Sequence, residues 1–217
     1  MVDDTCFSTY ARFTCNDPAH GLALVGPDNL IGDAFTLRIT SDEAGNDLVE
    51  VVNKFAKSVG QLEQKEVHHL QVLQARGWTL RALLSLVVAA KGAEGTEYWG
   101  EVLILCNDAR YDAAFSNFTN KLAALLMEGI RPDVEFGAQG IKQIIASEGN
   151  WDIKNRAAKP KLSKDEAIVK DHRSAKEKMI EEGRAGNKGC FAMSYLFIAL
   201  VVALIVAAVA HFALHLF

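Results

Sequence analysis

The sequence predicts an α+β fold, in which a small antiparallel sheet packed with several helices is followed by a charged helical stalk and one C-terminal transmembrane helix. Three observations support this prediction. Apolar residues alternate at period two near the N-terminus, they recur at helical spacing further along, and the last 28 residues, 190–217, contain no Asp, Glu, Lys or Arg. The chain therefore divides into an acidic globular head at 1–153, a basic linker or helical stalk at 154–189 and a membrane anchor at 190–217.

Two strands are predicted near the N-terminus, because apolar side chains fall on one face of each at period two. The turn cluster Asn16-Asp17-Pro18 follows the first strand, and Gly45-Asn46 follows the second. Between the two strands, a short apolar run at 22–25 ends at Gly26. The alternating residues are Phe7, Thr9, Ala11, Phe13 and Cys15 in the first strand and Phe35, Leu37 and Ile39 in the second.

The apolar period changes to that of a helix after Asn46. Residues 48–62 follow helical spacing, and a weaker stretch continues to Gly77. Residues 78–90 are apolar nearly all round, which predicts a helix buried at the centre of the head. The run 101–106 predicts a strand, residues 109–128 predict an amphipathic helix, and isoleucines at 141, 144 and 145 predict a final short helix. The head is therefore expected to be mostly helical by residue count.

The stalk is basic and contains a helix start signal. Ser163-Lys164-Asp165-Glu166 matches a capping box, which predicts a helix at 164–182. Residues 154–188 hold 11 Lys and Arg against 6 Asp and Glu, a net charge of +5, whereas residues 1–153 carry −9. The basic segment either is attracted to anionic lipid or forms an ordinary solvated helix. Nucleic acid is not an expected partner, because the head is acidic and no aromatic residues interleave the basic ones.

The apolar C-terminal segment predicts a membrane anchor, since a bilayer core about 30 Å thick needs about 20 helical residues to span it. We expect a single-pass, tail-anchored protein with residues 1–189 on the side of synthesis or import. A mitochondrial membrane is favoured, and the endoplasmic reticulum and the peroxisome are alternatives. Cys190, at the membrane edge, is a candidate palmitoylation site. The anchor residues are Met193, Tyr195, Leu196, Phe197, Ile198, Leu200, Val201, Val202, Leu204, Ile205, Val206, Val209 and Phe212.

Catalytic and metal-binding patterns are not evident in the sequence. It contains no phosphate-binding glycine loop, no nucleophile elbow and no HExxH motif. Its four cysteines, at 6, 15, 106 and 190, lack metal-ligand spacing; Cys6 and Cys15 are either a redox pair on adjacent strands or small buried hydrophobic residues. His68 and His69 are adjacent and therefore point to different faces of a helix. We expect no enzyme activity, no metal, no cofactor and no small-molecule substrate.

Three short segments of the head resemble sequence motifs of a known family. They are Gly32-Asp33-Ala34-Phe35, Tyr98-Trp99-Gly100 and Gly149-Asn150-Trp151-Asp152. They resemble the third, first and second homology motifs of the tail-anchored apoptosis regulators of the B-cell-lymphoma family. Asp28 stands where that family has a leucine, and Glu101 stands where it has an arginine. The resemblance implies an all-helical bundle with a groove for amphipathic helices, whereas the residue patterns predict strands in the same regions.

The sequence favours two functions over catalysis. The first is a non-enzymatic accessory or scaffold subunit of a larger membrane protein complex, with the lipid bilayer and other protein subunits as its partners. Small residues in the anchor, namely Ala203, Ala207, Ala208 and Ala210, permit close approach of a second helix. The second function is a membrane-anchored recruiter or regulator of soluble partners, including an apoptosis-regulator-like protein. A membrane-tethered enzyme ranks third.

Overall fold

A computed structural model of the chain describes residues 5–15, 17–41, 44–92, 95–184, 197–199 and 201–202. Backbone contacts divide the chain into two compact units, Met1–Arg173 and Ser174–Phe217. Within the described residues, the first unit contains seven strands and four α-helices. The second contains a fifth α-helix and the helical residues 197–199 and 201–202.

Strands and helices follow one another along the chain with short connections up to residue 146. The strands are β1 (Cys6–Thr14), β2 (Ala34–Ser41), β3 (Asp47–Val52), β4 (Ser58–Leu62), β5 (Trp78–Lys91), β6 (Thr96–Asp108) and β7 (Glu166–Lys170). The α-helices are α1 (Pro18–Val25), α2 (Gln64–Ala75), α3 (Asp112–Met127), α4 (Gly137–Ala146) and α5 (Ala175–Arg184). A single 3₁₀ turn, Ala109–Tyr111, leads into α3.

Six of the strands form a closed antiparallel β-barrel. Their order is β2-β3-β4-β1-β6-β5, and β2 pairs back with β5 to complete the ring. This closing ladder is short, since only Ala34↔Leu83 and Phe35↔Ala82 are paired in it. β7 lies outside the ring and pairs with β5. The predicted α+β class with an antiparallel sheet is therefore confirmed.

The barrel is filled by side chains, with Phe13 at a tightly packed point of the interior. Phe13 is fully buried and stands opposite Gly100 in the register of β1 with β6. A Cβ atom added at Gly100 would overlap the Phe13 ring, and one added at Gly60 would overlap both that ring and the β1 backbone. Glycine at these two positions therefore lets the strands approach a phenylalanine closely.

Several predicted elements are confirmed at nearly the predicted bounds. They are the strands at the N-terminus, at 35–40 and at 101–106, and the helices that became α2, α3 and α4. The apolar run at 22–25 lies in α1, which begins after Asp17, whose carboxylate accepts a hydrogen bond from the Ala19 N–H at 2.7 Å. A polar N-cap residue followed by proline, as in Asp17-Pro18, is common at the start of helices.

The predicted helices at 48–62 and 78–90 are wrong, because both regions are strands. The first is the β3–β4 hairpin, whose two strands and tight turn placed apolar residues at intervals that imitate a helix. The second is β5, which is buried on both faces from Ala82 to Val88 and so lost its period-two signal. The expectation of a mostly helical head is wrong for the same reason.

The all-helical bundle implied by the family resemblance is also wrong. Ala34 and Phe35 belong to β2, and the segment from Tyr98 to Gly100 belongs to β6. Both segments are paired strands of the barrel, so they cannot form the helices in which that family carries its motifs. The resemblance reflects short local coincidences of sequence.

The predicted stalk helix at 164–182 is replaced by a strand and a shorter helix. The Glu166 carboxylate does accept a hydrogen bond from the Ser163 N–H at 2.8 Å, but Glu166 then begins β7. The capping box that starts a helix lies 11 residues later, at Ser174. The Ser174 N–H and hydroxyl donate to the Glu177 carboxylate at 2.9 Å each, and the Glu177 N–H donates to the Ser174 hydroxyl at 3.3 Å.

Residues 154–173 belong to the first unit rather than to a separate stalk. The Arg173 guanidinium, only 7% exposed, donates to Asp33 at 3.0 Å and to the Ile31 carbonyl at 2.7 Å. The Lys170 ammonium donates to the carbonyls of Gly26 and Asn29 at 2.8 and 3.0 Å. These contacts fasten the end of the first unit to the loop that precedes β2, and backbone contacts place that end at Arg173.

A fragment that ends at residue 173 is expected to fold, whereas one that ends at 153 is not. The shorter fragment lacks β7 and leaves the Asp33 carboxylate buried without Arg173. Loss of one partner of a buried ion pair costs about 3–5 kcal/mol, a large share of the stability of an ordinary domain. Urea unfolding followed by circular dichroism would compare the two fragments, with Arg173→Met in the longer one as an intermediate case. Equal urea midpoints for both fragments would contradict the expected boundary.

Candidate functional site

Most of the predicted anchor lies outside the described residues. That applies to the candidate lipidation site Cys190 and to the anchor residues Met193, Tyr195, Leu196, Leu200, Leu204, Ile205, Val206, Val209 and Phe212. The described anchor residues are Phe197, Ile198, Val201 and Val202, which are helical and have exposed side chains. Within the described ranges, no helix combines the length and the apolar character needed to cross a bilayer. The anchor therefore stays a prediction.

The cysteines of the barrel are separate thiols. Cys6 and Cys15 stand at opposite ends of β1, and nine residues of strand at about 3.3 Å each separate them by roughly 30 Å. The redox-pair interpretation is therefore wrong, and Cys6, Cys15 and Cys106 are all free. Burial raises the pKa of Cys6 and of Cys106 to about 12 each, and that of Cys15 to about 11.

Native Cys106 is expected to react with iodoacetamide at pH 8 at least about 100-fold more slowly than the same cysteine in urea. The nucleophile is the thiolate, and each unit of raised pKa removes about nine-tenths of it at that pH. Peptide mass spectrometry of samples quenched over time would give the rate for each cysteine. Cys15, with the smaller rise in pKa, should be labelled faster than Cys106. Equal native and unfolded rates at Cys106 would contradict its burial.

The two adjacent histidines lie on α2 with exposed side chains. The His69 ring packs against Phe7, with ring centroids 4.2 Å apart and a tilt of 56°. Among the residues that the structure describes, no group of three or more His, Cys, Asp or Glu side chains is placed to hold a metal ion. His69 therefore contributes to packing at this end of the barrel.

A buried polar group, the Arg131 cluster, consists of Arg131, Glu101, Ser85 and Tyr10. The Arg131 guanidinium donates to both oxygens of Glu101 and to the Ser85 hydroxyl at 3.1 Å. It also lies 3.4 Å from the centre of the Tyr10 ring, and the Tyr10 hydroxyl donates to the Pro132 carbonyl at 2.8 Å. Burial raises the pKa of Tyr10 above its ordinary value. The Arg131 Nε is buried without a hydrogen-bond partner. The other polar groups of the cluster are hydrogen-bonded to one another or to the backbone, which is typical of a structural network.

Sequence reasoning missed the Arg131 cluster, although one signal was available. Glu101 stands at the head of the apolar run 102–106, and a lone acid in a buried strand requires a cationic partner. The partner is Arg131, from the loop after α3. Nothing in the spacing of residues 101 and 131 indicates the pairing, because it depends on how α3 crosses the barrel.

An apolar groove, here called the Trp151 groove, lies along α3 and has a volume of about 340 Å³. Trp151 is half-buried and stacks on Phe118 with ring centroids 6.1 Å apart. An ion pair of 2.6 Å between Lys121 and Asp152 stands on the rim. The lining residues are Phe118, Lys121, Ala124, Leu125, Glu128, Trp151, Asp152 and Ile153. An apolar floor with a charged rim suits the apolar side of an amphipathic partner.

A second depression, here called the β2–β5 cleft, has a volume of about 420 Å³. Arg81 lies along it and donates to Asn107 and, at 2.6 Å, to the Asp112 carboxylate. This hydrogen bond holds the pKa of Asp112 below its ordinary value. The lining residues are Ala34, Phe35, Thr36, Leu37, Gln74, Trp78, Leu80, Arg81, Ala82, Leu83, Ser116, Thr119 and Asn120.

Comparison with known proteins adds no further assignment to these features. No family model, curated protein or solved structure matches the chain. The groove and the cleft are open surfaces with apolar and hydrogen-bonding groups, and such surfaces bind other molecules. The candidate sites of the first unit are therefore the Trp151 groove and the β2–β5 cleft.

Proposed function

We propose that the chain is a non-enzymatic membrane protein that serves as an accessory or scaffold subunit of a larger membrane protein complex. The observation that carries the proposal is the run of 28 residues, 190–217, without Asp, Glu, Lys or Arg. Its length exceeds the roughly 20 residues that a helix needs to span a bilayer core. The membrane favoured is mitochondrial, with the endoplasmic reticulum and the peroxisome as alternatives.

The chemistry of the first unit supports binding rather than catalysis. Glu101 is committed to Arg131, and Asp33 is committed to Arg173 and Lys54. The thiols of Cys6 and Cys106 have raised pKa values, which makes them poor nucleophiles. Groups held in this way stabilise a fold, whereas a catalytic acid, base or nucleophile must be accessible to a substrate.

A recruiter of soluble partners is the second candidate, and the Trp151 groove favours it. The groove combines half-buried aromatic and aliphatic surface with the charged side chains Lys121, Glu128 and Asp152 at its edge. Amphipathic helices bind grooves of this chemistry through their apolar face and match charges at the rim. In this alternative, residues 190–217 hold the first unit at the membrane while soluble partners bind to it and dissociate from it.

Carbonate extraction is expected to leave the full-length protein in the membrane pellet and to release a variant that lacks residues 190–217. The reason is that alkaline carbonate strips proteins held by surface contacts, whereas a spanning helix keeps its apolar residues in the bilayer. A matched control is the full-length chain with Leu200→Arg and Val206→Arg, because charges at the bilayer centre are costly. Recovery of full-length protein in the supernatant would refute the anchor.

The native mass of the protein in mild detergent separates the two candidates. Recovery in a large complex with partners in fixed stoichiometry is expected for an accessory subunit. A small mass with substoichiometric soluble partners, lost on Trp151→Ala, would instead support the recruiter. Fractionation of the organelles in the same preparation would identify the membrane.

A further inference from the structure

The barrel closes through an unusually short ladder. Within the strands, β2 and β5 pair at Ala34↔Leu83 and Phe35↔Ala82, and two backbone hydrogen bonds of Leu84, with Gly32 and Asp33, continue the pairing before β2. The pairing stops after Phe35, although β2 continues to Ser41 and β5 begins at Trp78. The other edge of each strand is fully paired. Residues 36–41 of β2 pair with β3, and residues 78–81 of β5 pair with β6. Both segments are therefore rigid on one edge. In the part of the chain that the structure describes, no strand pairs with the other edge.

These free edges carry unused backbone hydrogen-bonding groups. In an antiparallel ladder, the N–H and C=O of successive residues point alternately to the two sides of the strand. Every second residue of 36–41 and of 78–81 therefore directs its N–H and C=O toward the gap between β2 and β5. Exposed strand edges of this kind bind extended polypeptide by adding it as a further strand.

The β2–β5 cleft lies where the ladder ends and is suited to such a strand. Its volume of about 420 Å³ falls within the range of ordinary ligand sites, roughly 300–1,000 Å³. Trp78 and Leu80 offer half-buried apolar surface on one side. On the other sides, Gln74 from α2 and Ser116 and Asn120 from α3 offer exposed amide and hydroxyl groups.

The charges of the cleft favour a neutral ligand backbone over an anion. Arg81 is the cationic residue among those that line the cleft, and its guanidinium is already bound to Asp112 and Asn107. A phosphate or carboxylate would therefore meet a positive charge that Asp112 already neutralises. Peptide groups need only the hydrogen bonds that the strand edges and the side-chain amides supply.

We propose that the β2–β5 cleft binds an extended peptide segment of a partner protein, which pairs with the free edge of β2 from Thr36 and Leu37, the residues of that edge that line the cleft. The peptide continues the sheet beyond Phe35 and places alternate side chains against Trp78 and Leu80. This binding site does not depend on the membrane anchor, because all of its residues belong to the first unit.

The test is a selection of random seven-residue peptides, displayed on phage, against the full-length protein in mild detergent. Ser116→Trp fills the cleft from α3, and Ala113→Trp places the same side chain at an exposed position of the same helix that does not line the cleft. Both variants must keep the urea midpoint of the unchanged protein; Asn120→Trp replaces Ser116→Trp if that variant unfolds. Selected peptides are expected to bind the unchanged protein and Ala113→Trp equally and to bind the cleft variant at least tenfold more weakly.

N-methylation of the selected peptides tests the pairing itself. An added strand uses the N–H of every second residue, so methylation of one alternate set is expected to weaken binding at least tenfold and methylation of the other set is expected to have little effect. Equal effects of the two sets would overturn strand pairing. Failure to select any peptide, or equal binding to Ser116→Trp, would overturn the site, and neither result would bear on whether residues 190–217 enter a membrane.

Discussion

Replacing Arg131 by Met is expected to lower the free energy of unfolding by about 3–5 kcal/mol. The Glu101 side chain is 7% exposed and that of Arg131 is 12% exposed, so water cannot solvate the carboxylate once the guanidinium is gone. Among the described residues, the Ser85 hydroxyl, 2.9 Å away, is the side-chain donor that Glu101 would keep. The measurement is urea unfolding of the full-length protein in mild detergent, followed by tryptophan fluorescence.

A double substitution separates the cost of an unpaired charge from the worth of the pair. Glu101→Leu with Arg131→Met removes both charges and fills the site with apolar atoms of similar volume. Such replacements of buried ion pairs are often neutral or even stabilising. We therefore expect the double variant to recover most of the stability lost in Arg131→Met. A double variant whose loss equals the sum of the two single losses would contradict the direct pairing.

The Lys121–Asp152 pair on the rim of the Trp151 groove is the matched control. Its separation of 2.6 Å is short, but the Asp152 side chain is 83% exposed. Exposed pairs contribute little because water and salt screen them. Asp152→Ala is therefore expected to leave the urea midpoint unchanged, and a large shift there would show that burial does not set the cost of breaking a pair in this protein.

The strands and helices that could be predicted from the sequence are those with one buried face and one solvent-exposed face. β2 alternates between buried and exposed residues, β1 buries Ala11 and Phe13 on either side of the half-buried Arg12, and α3 has a clear apolar side, so their periods were visible. β5 lacks that contrast, because both of its faces are buried from Ala82 to Val88, with Leu162 and Ile168 packed against Leu86 and Val88. Its leucine-rich sequence then favours a helix by local propensity alone, and tertiary packing overrides the propensity.

The candidate sites were less predictable than the fold, because they depend on long-range contacts. Trp78 was assigned to a buried helix, whereas it lies beside the cleft at the start of β5. The cleft itself exists because β2 and β5 stop pairing after two residue pairs, and no local pattern records where a ladder ends. The membrane anchor differs from the cleft, because its prediction depends on the composition of residues 190–217 and not on long-range contacts.

Phe13→Ala is expected to cost about 3–5 kcal/mol, as other deletions of fully buried aromatic rings do. The ring lies inside the barrel against Gly60 and Gly100, and closure of the six strands prevents them from collapsing into the space left by its removal. Phe55→Ala is the matched control, because Phe55 is 48% exposed and its loss should change the stability by no more than about 0.5 kcal/mol. Equal effects of the two substitutions would contradict the packing of the barrel.

The glycine opposite Phe13 makes the same packing testable from the other strand. Gly100→Ala places a Cβ atom into the Phe13 ring and is expected to cost about 1–3 kcal/mol by overpacking. Because the collision is with a side chain, Phe13→Leu should relieve it, and the double variant should be more stable than the sum of the two single losses predicts. Gly60→Ala meets the backbone of β1 as well as the ring, so Phe13→Leu should not rescue it. Failure of Phe13→Leu to rescue Gly100→Ala would contradict the close contact of Phe13 with Gly100, and a rescue of Gly60→Ala would contradict the contact of Gly60 with the β1 backbone.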